Sequence, residues 1–106
     1  MAEKDLSLTI LFDIYGGLLS ENERNAFEYY YCDDLSLSEI SELMKMTRQG
    51  VRDNIVRAEK LLRDSESKLG LKEKLIEADR LIASAKKALS SGDTALAGKI
   101  LDEIKL

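Results

Sequence analysis

Residues 35–62, "LSLSEISELMKMTRQGVRDNIVRAEKLL", contain two amphipathic helical patterns separated by a very short turn, and this feature constrains the fold more than any other. Ser36 with Glu39 three residues later forms a capping box, which predicts where the first helix begins. We expect the turn at residues 45–47, with Thr47 as the N-cap of the second helix. Two helices joined so closely are typical of a helix-turn-helix.

The spacing of apolar residues predicts which faces of these two helices point into a core. The second helix should continue to about residue 67. The expected inner face is Leu37, Ile40, Leu43 and Met44 in the first helix, and Val51, Ile55, Ala58, Leu61 and Leu62 in the second.

The rest of the chain also has helical patterns and no strand pattern. Proline is absent, and the composition favours helix almost throughout. A helix is predicted over residues 5–15, and a second capping box, Ser20 with Glu23, begins another that should end near residues 33–34. With the two helices of the tail described next, the sequence predicts an all-α fold of six helices.

Beyond Gly70 two amphipathic helices are predicted, separated by a loop at residues 90–93 in which Gly92 ends one helix and Asp93 caps the next. We therefore divide the chain into a helix-turn-helix bundle, residues 1–70, and a C-terminal helical extension, residues 71–106. The extension should pack on the bundle or pair with a second copy, so it is a candidate dimerisation element. Its expected inner faces are Leu71, Leu75, Ala78, Leu81, Ile82, Ala85 and Leu89, then Leu96, Ile100, Leu101 and Ile104.

Charge is unevenly distributed along a chain whose formal net charge is −4. Residues 20–46 hold seven acidic and two basic residues, whereas residues 47–63 hold five basic and two acidic residues. The positive segment coincides with the second helix of the predicted helix-turn-helix. Arg48 and Arg52 are four residues apart and project from one face of that helix.

These residue types could bind nucleic acid, because arginine pairs with guanine and glutamine with adenine in the major groove. The predicted contacts are Thr47, Arg48, Gln49, Arg52, Asp53 and Arg57. The alternative is a solvated helix face with no ligand. A local charge of only +3 predicts weak, salt-sensitive binding by one copy, so a dimer or a partner would be needed.

Chemistry that would support catalysis is missing from the sequence. There is no histidine, and neither GxxxxGK nor GxGxxG occurs, so we expect no enzyme activity, no metal and no cofactor. Asp33 and Asp34 are predicted to be a solvated helix end, and Cys32 a half-buried thiol. Tyr30 and Tyr31 should line the bundle, with base stacking as the alternative.

The N-terminus "MAEKDLSLTI" has no basic segment that leads into an apolar run, so we expect no signal peptide. No stretch approaches the roughly 18 apolar residues of a membrane span. The expected location is the cytoplasm.

Residues 35–62 resemble region 4 of bacterial sigma factors, which reads promoters. Ile40, Met44, Met46, Thr47, Arg48, Val51 and Arg52 follow that region's pattern in order. Lys45 departs from it, because this turn position is usually glycine. A positive φ at Lys45 would cost about 1 kcal/mol.

A longer match, over about residues 8–75, resembles the YlxM family of small bacterial proteins. That family shows "LFDxYxxLLT", then "YYxDDLSLxEIA", then "SRQxVxDNIxR"; this chain has "LFDIYGGLLS", "YYCDDLSLSEIS" and "TRQGVRDNIVR". The resemblance implies a helix-turn-helix regulator of the signal recognition particle pathway, with no enzymatic role. The implied partners are DNA, the particle's RNA or its targeting GTPase. In the alternative hypothesis the chain binds that GTPase as a protein interaction module, and the helix-turn-helix is only a scaffold.

Overall fold

A computed structural model describes residues 4–106. These residues form six α-helices and no strand, which confirms the predicted all-α fold. They divide into two compact units, of which one ends at Leu69 and the other is Gly70–Leu106. The helices are α1 Leu8–Tyr15, α2 Glu21–Phe27, α3 Leu37–Met44, α4 Arg48–Leu69, α5 Leu71–Ser90 and α6 Thr94–Asp102, with a 3₁₀ turn at Gly16–Leu18 and a π-helical turn at Glu28–Cys32.

Both predicted capping boxes are confirmed. The Ser20 hydroxyl accepts a hydrogen bond from the Glu23 backbone N–H at 3.2 Å, and the Ser20 N–H donates to the Glu23 carboxylate at 2.9 Å. Ser36 and Glu39 form the same pair of bonds, both at 3.1 Å. Each box satisfies two backbone N–H groups that a helix start would otherwise leave without a partner. This explains why α2 and α3 begin where the sequence predicts.

Helix α1 begins at Leu8, three residues later than predicted. The Asp5 carboxylate accepts hydrogen bonds from both the backbone N–H and the hydroxyl of Ser7. Such a local turn competes with the helix for the backbone, and it delays the first helical residue. The same bonds hold the pKa of Asp5 below its ordinary value.

The core of the N-terminal unit forms around α4, which packs against α1, α2 and α3. A stack of rings extends this core, with 4.7 Å between the centroids of Phe12 and Phe27 and 4.3 Å between those of Phe27 and Tyr31. Tyr30 meets Tyr31 edge-on and is half-buried, with the Lys4 ammonium over its ring. The predicted inner face of α4 is confirmed at its fully buried members, Val51, Ile55, Ala58 and Leu62.

Two predictions about side-chain exposure in this unit are wrong. Leu43 is 57% exposed, because α3 packs on one side only and Ile40 alone occupies its fully buried position. Cys32 is also exposed. It lies in the π-helical turn, where the wider backbone rotates successive side chains away from the positions that an α-helix would give them.

Two tyrosines hold earlier segments of the chain against α4. The Tyr31 hydroxyl donates a hydrogen bond to the Glu59 carboxylate, and the Tyr15 hydroxyl donates to Glu66 at 2.7 Å. Burial, the bond to Glu59 and the charge of that carboxylate raise the pKa of Tyr31 well above its ordinary value of 10.

The C-terminal unit is a pair of helices, α5 and α6, that pack on each other. As predicted, Gly92 lies just after the end of α5, where its backbone is left-handed with φ 81°. The Asp93 carboxylate caps α6 by accepting a hydrogen bond from the Leu96 N–H at 2.9 Å. The buried residues are Ala78, Leu81, Ala85, Ala88 and Ala97.

The prediction that the larger apolar residues of the tail face inward is confirmed for Leu81, which is 4% exposed, and is wrong for five others. Leu75, Ile82 and Leu89 of α5 are exposed, and so are Leu96 and Leu101 of α6. Alanine lets two helix backbones approach closely, and the bulkier residues on either side of the alanine row then remain in water. Dimerisation through this unit stays a prediction.

We predict that Tyr31→Phe lowers the free energy of unfolding by about 1–2 kcal/mol, because it removes a hydrogen bond to a charged carboxylate. Tyr31 is neutral in the folded chain at a pH where the unfolded chain ionises it. Its contribution is therefore complete below pH 10 and is lost as the pH rises above that value. Urea unfolding at pH 7 and at higher pH measures both effects.

Tyr29→Phe is the matched control, since the hydroxyl of this half-buried neighbour makes no hydrogen bond within residues 4–106, and it should leave stability unchanged at pH 7. Equal losses for both variants, or an alkaline loss that persists undiminished in Tyr31→Phe, would contradict the role given to Tyr31.

Candidate nucleic-acid interface

The reversal of the chain between α3 and α4 occurs at Lys45. This residue, at the turn position where the sigma region 4 pattern usually has glycine, has a left-handed backbone with φ 54° and ψ 46°. The backbone N–H groups of Lys45 and Met46 both donate to the Ser41 carbonyl, the second at 3.1 Å. These bonds give a partner to a backbone carbonyl in the last turn of α3. They also turn the chain so that α4 can begin three residues later.

Thr47 caps the start of α4, as predicted. Its hydroxyl accepts a hydrogen bond from the Gly50 N–H at 3.0 Å. A Cβ atom at Gly50 would lie 3.2 Å from that hydroxyl oxygen, which is a tight contact. The absence of a side chain at Gly50 therefore lets the cap close.

Asn54 is a residue of this site that the sequence analysis did not identify. It is 8% exposed, and its amide nitrogen donates to the Gly50 carbonyl at 2.9 Å while lying 3.7 Å from the Met46 sulfur. Its carbonyl oxygen accepts from the Arg57 guanidinium at 3.2 Å. These contacts fix the turn against the second turn of α4. The available signal was an amide beside the inward-facing Ile55, where a polar group needs partners.

Arg48 and Arg52 lie on the exposed surface of the first two turns of α4. Because they are four residues apart, their side chains project from the same side of the helix. Within residues 4–106 neither guanidinium has a hydrogen bond or an ion pair with another side chain. All of their donors are therefore available to a ligand.

Gln49 and Asp53 lie beside these arginines and are also exposed. The Gln49 amide nitrogen donates to the Asp53 carboxylate at 2.8 Å, so the two side chains are paired across one turn. The pair presents the carbonyl oxygen of Gln49 and a negative charge to the solvent. A phosphate backbone would approach this charge unfavourably, and a cytosine amino group would approach it favourably.

Arg57 does not lie with the other predicted contacts. Nine residues separate it from Arg48, which places the two side chains about 180° apart around the helix. Its guanidinium bonds Asn54 and lies 3.7 Å from the Glu23 carboxylate of α2. The structure thus groups Thr47, Arg48, Gln49, Arg52 and Asp53 at the start of α4 and separates Arg57 from them.

The flank of α4 that includes Arg57 contains an open cavity of about 380 Å³. Its charged residues are of both signs, with Arg57, Lys60 and Lys68 offset by Glu23 and Asp64. Asp64 lies 3.9 Å from the ammonium of Lys60, one turn earlier. Arg57 and Lys60 thus each lie near a carboxylate, whereas the guanidinium groups of Arg48 and Arg52 have no ion pair within residues 4–106.

Asp34, one of the two acidic residues that precede α3, is held in a structural contact. The Lys4 ammonium donates to the Asp34 carboxylate at 2.7 Å, and this pairing lowers the pKa of Asp34. Over the described part of the chain, no group of three or more histidine, cysteine or carboxylate side chains is arranged to hold a metal ion. Over the same residues, every helix is too short or too polar to cross a bilayer.

Comparison with known proteins identifies a family for almost the whole chain. The model of the UPF0122 family, described as "Putative helix-turn-helix protein, YlxM / p13 like", matches residues 2–101. A UPF0122 protein of Shouchella clausii is 42% identical over 106 residues, covering 99% of this chain and 97% of the relative. UPF0122 proteins of Bacillus mycoides and Bacillus thuringiensis are 46% and 44% identical over 90 residues, each covering 85% of this chain and 82% of the relative.

We predict that Lys45→Gly raises the free energy of unfolding by about 0.5–1 kcal/mol, because glycine adopts positive φ without the clash of a Cβ atom. Chemical denaturation measures the change. Lys45→Ala is the matched control: it removes the same charge but keeps the Cβ atom, and it should give no gain. A gain of equal size in both variants would assign the effect to charge and contradict the backbone explanation.

Proposed function

Because this chain belongs to the UPF0122 family of YlxM- and p13-like helix-turn-helix proteins, we propose that it binds nucleic acid through the first two turns of α4. One observation supports this proposal above all others. Arg48 and Arg52 are exposed, lie on one side of a capped helix and have no partner among the described side chains. Guanidinium groups in this state bind phosphate and guanine with little reorganisation.

The chemistry of α4 suits two kinds of nucleic acid in different ways. In duplex DNA the start of the helix would enter the major groove, where Arg48, Gln49 and Arg52 could meet base edges. The major groove of an RNA duplex is too narrow for this, so an RNA would be bound through phosphates or unpaired bases. The resemblance to YlxM leads us to propose a regulatory role in the signal recognition particle pathway, with the particle's RNA or DNA near its genes as the ligand.

The affinity of one copy should be modest, since two free arginines neutralise few phosphates. A dimer would double these contacts, and we propose the C-terminal unit, Gly70–Leu106, as the element that pairs two copies. The exposed leucines and isoleucines of α5 and α6 support this proposal.

We predict that Arg48→Ala with Arg52→Ala weakens binding to a mixed-sequence DNA duplex and to particle RNA by roughly tenfold or more. The slope of log affinity against log salt should flatten by about 2, because two positive charges that displace counterions from the nucleic acid are lost. Fluorescence anisotropy with labelled duplex or RNA, over a series of salt concentrations, measures both quantities.

The charge-matched control is Lys60→Ala with Lys68→Ala, two exposed residues on the flank of α4 that includes Arg57. It should change neither the affinity nor the slope. Asp53→Asn should instead strengthen binding to mixed-sequence duplex a few-fold, since it removes a negative charge beside the arginines.

Failure of the wild-type chain to bind either nucleic acid at low salt, about 50 mM, would contradict the proposal. It would favour the alternative function, in which the fold is a scaffold and the chain binds a protein such as the targeting GTPase. Equal losses in the two double variants would assign the binding to overall charge rather than to the start of α4.

A further inference from the structure

We propose that a groove on α3 binds a basic segment of a partner protein that inserts a large apolar side chain. This α3 groove is lined by Leu35, Glu39, Glu42 and Leu43 and has a volume of about 300 Å³. It lies outside the predicted nucleic-acid contacts, all of which follow the turn. The inference goes beyond the proposed function and does not depend on whether α4 binds nucleic acid.

The floor of the α3 groove is apolar and remains in contact with water. Leu43 is 57% exposed, and Leu35 is half-buried. Leu35 is held in place by a hydrogen bond from its N–H to the Tyr29 carbonyl at 3.0 Å. Helix α3 cannot rotate to bury Leu43, because the capping box at Ser36 and the left-handed Lys45 fix its two ends. The two leucines therefore form a preformed apolar site.

The rim of the α3 groove is acidic. Glu39 is one turn before Leu43, and Glu42 directly precedes it, so both carboxylates lie within about 100° of Leu43 around the helix. Glu39 is oriented by accepting the Ser36 N–H at 3.1 Å. Glu42 is exposed and makes no ion pair within residues 4–106. An acidic rim around two leucines thus results from side chains that are already positioned.

Charge complementarity decides what can occupy the groove. An acidic or neutral segment would remove the Glu42 carboxylate from water without giving it a partner and would bring no positive charge to Glu39, which is costly. Nucleic acid is disfavoured because its phosphates would face these carboxylates and the net charge of −5 over residues 20–46. A segment with lysine or arginine around one large apolar residue would bury that residue against the two leucines and pair its positive charges with the two carboxylates. An amphipathic helix has this pattern and commonly binds in grooves of this kind.

The test uses the full chain labelled with ¹⁵N and a synthetic amphipathic peptide of about 18 residues, five helical turns of leucine and lysine. A scrambled peptide of the same composition is the ligand control. We expect the amphipathic peptide to bind, with its largest amide shifts at Leu35, Glu39, Glu42 and Leu43. The scrambled peptide should bind at least several-fold more weakly, because its apolar residues do not share one face.

Two variants then test the floor and the rim separately. Leu43→Ser and Glu42→Lys should each weaken peptide binding roughly fivefold, by loss of apolar burial and of charge pairing. Leu18→Ser is the control for the first, since Leu18 is 59% exposed but lies outside the groove. Glu103→Lys, at the end of α6, is the control for the second. Both controls should retain wild-type affinity.

Equal binding of the two peptides, amide shifts confined to other surfaces, or unchanged affinity in Leu43→Ser would overturn the inference. Amide shifts at the groove that depend on protein concentration in the absence of peptide would show that a second copy of the chain occupies the groove. That result would also overturn the inference. Nucleic-acid binding is measured on the same variants and should not fall. If the wild type binds peptide at the groove but no nucleic acid, the proposed function fails and this inference stands.

Discussion

The left-handed backbone at Lys45 is the constraint on which the rest of the N-terminal unit depends. It ends α3 and lets α4 begin within three residues, and this fixes the rotation of α4 about its own axis. With that rotation Val51 and Ile55 are fully buried, and Arg48 and Arg52 are exposed. The strain of a positive φ at lysine is about 1 kcal/mol. The Thr47 cap and the hydrogen bonds of Asn54 offset it.

Opposite charges are segregated on neighbouring helices of this small unit. Helices α2 and α3 present carboxylates to solvent, and α4 presents arginines, so the net charge of −4 conceals a basic surface and an acidic one. The two surfaces suit different ligands, namely phosphates for α4 and a basic apolar segment for the α3 groove. A chain with both could link a nucleic acid to a protein, and the strength of that link would depend on ionic strength.

Much of this fold could be predicted from sequence because its signals are local. The capping boxes at Ser20 and Ser36, the turn and the Thr47 cap each depend on residues within about one helical turn of each other. Exposure depends on packing between helices, which spacing does not specify. Leu43 has the helical spacing of an inward-facing residue of α3, yet no other helix packs against the side of α3 on which it lies. The core of the tail consists of Leu81 and four alanines, and that Leu75 and Leu89 lie outside it could not be predicted for the same reason.

The same contrast between local spacing and contacts between helices applies to the candidate functional residues. Sequence spacing placed Arg48 and Arg52 together, but it could not show that Arg57 is bonded to Asn54 and lies near Glu23. The central claim, that the start of α4 binds nucleic acid, is tested most directly by a ¹⁵N amide titration of the full chain with a mixed-sequence duplex and with an RNA hairpin. We expect the largest shifts at residues 48–53. Binding with no shift at these residues, or with shifts confined to α5 and α6, would contradict it.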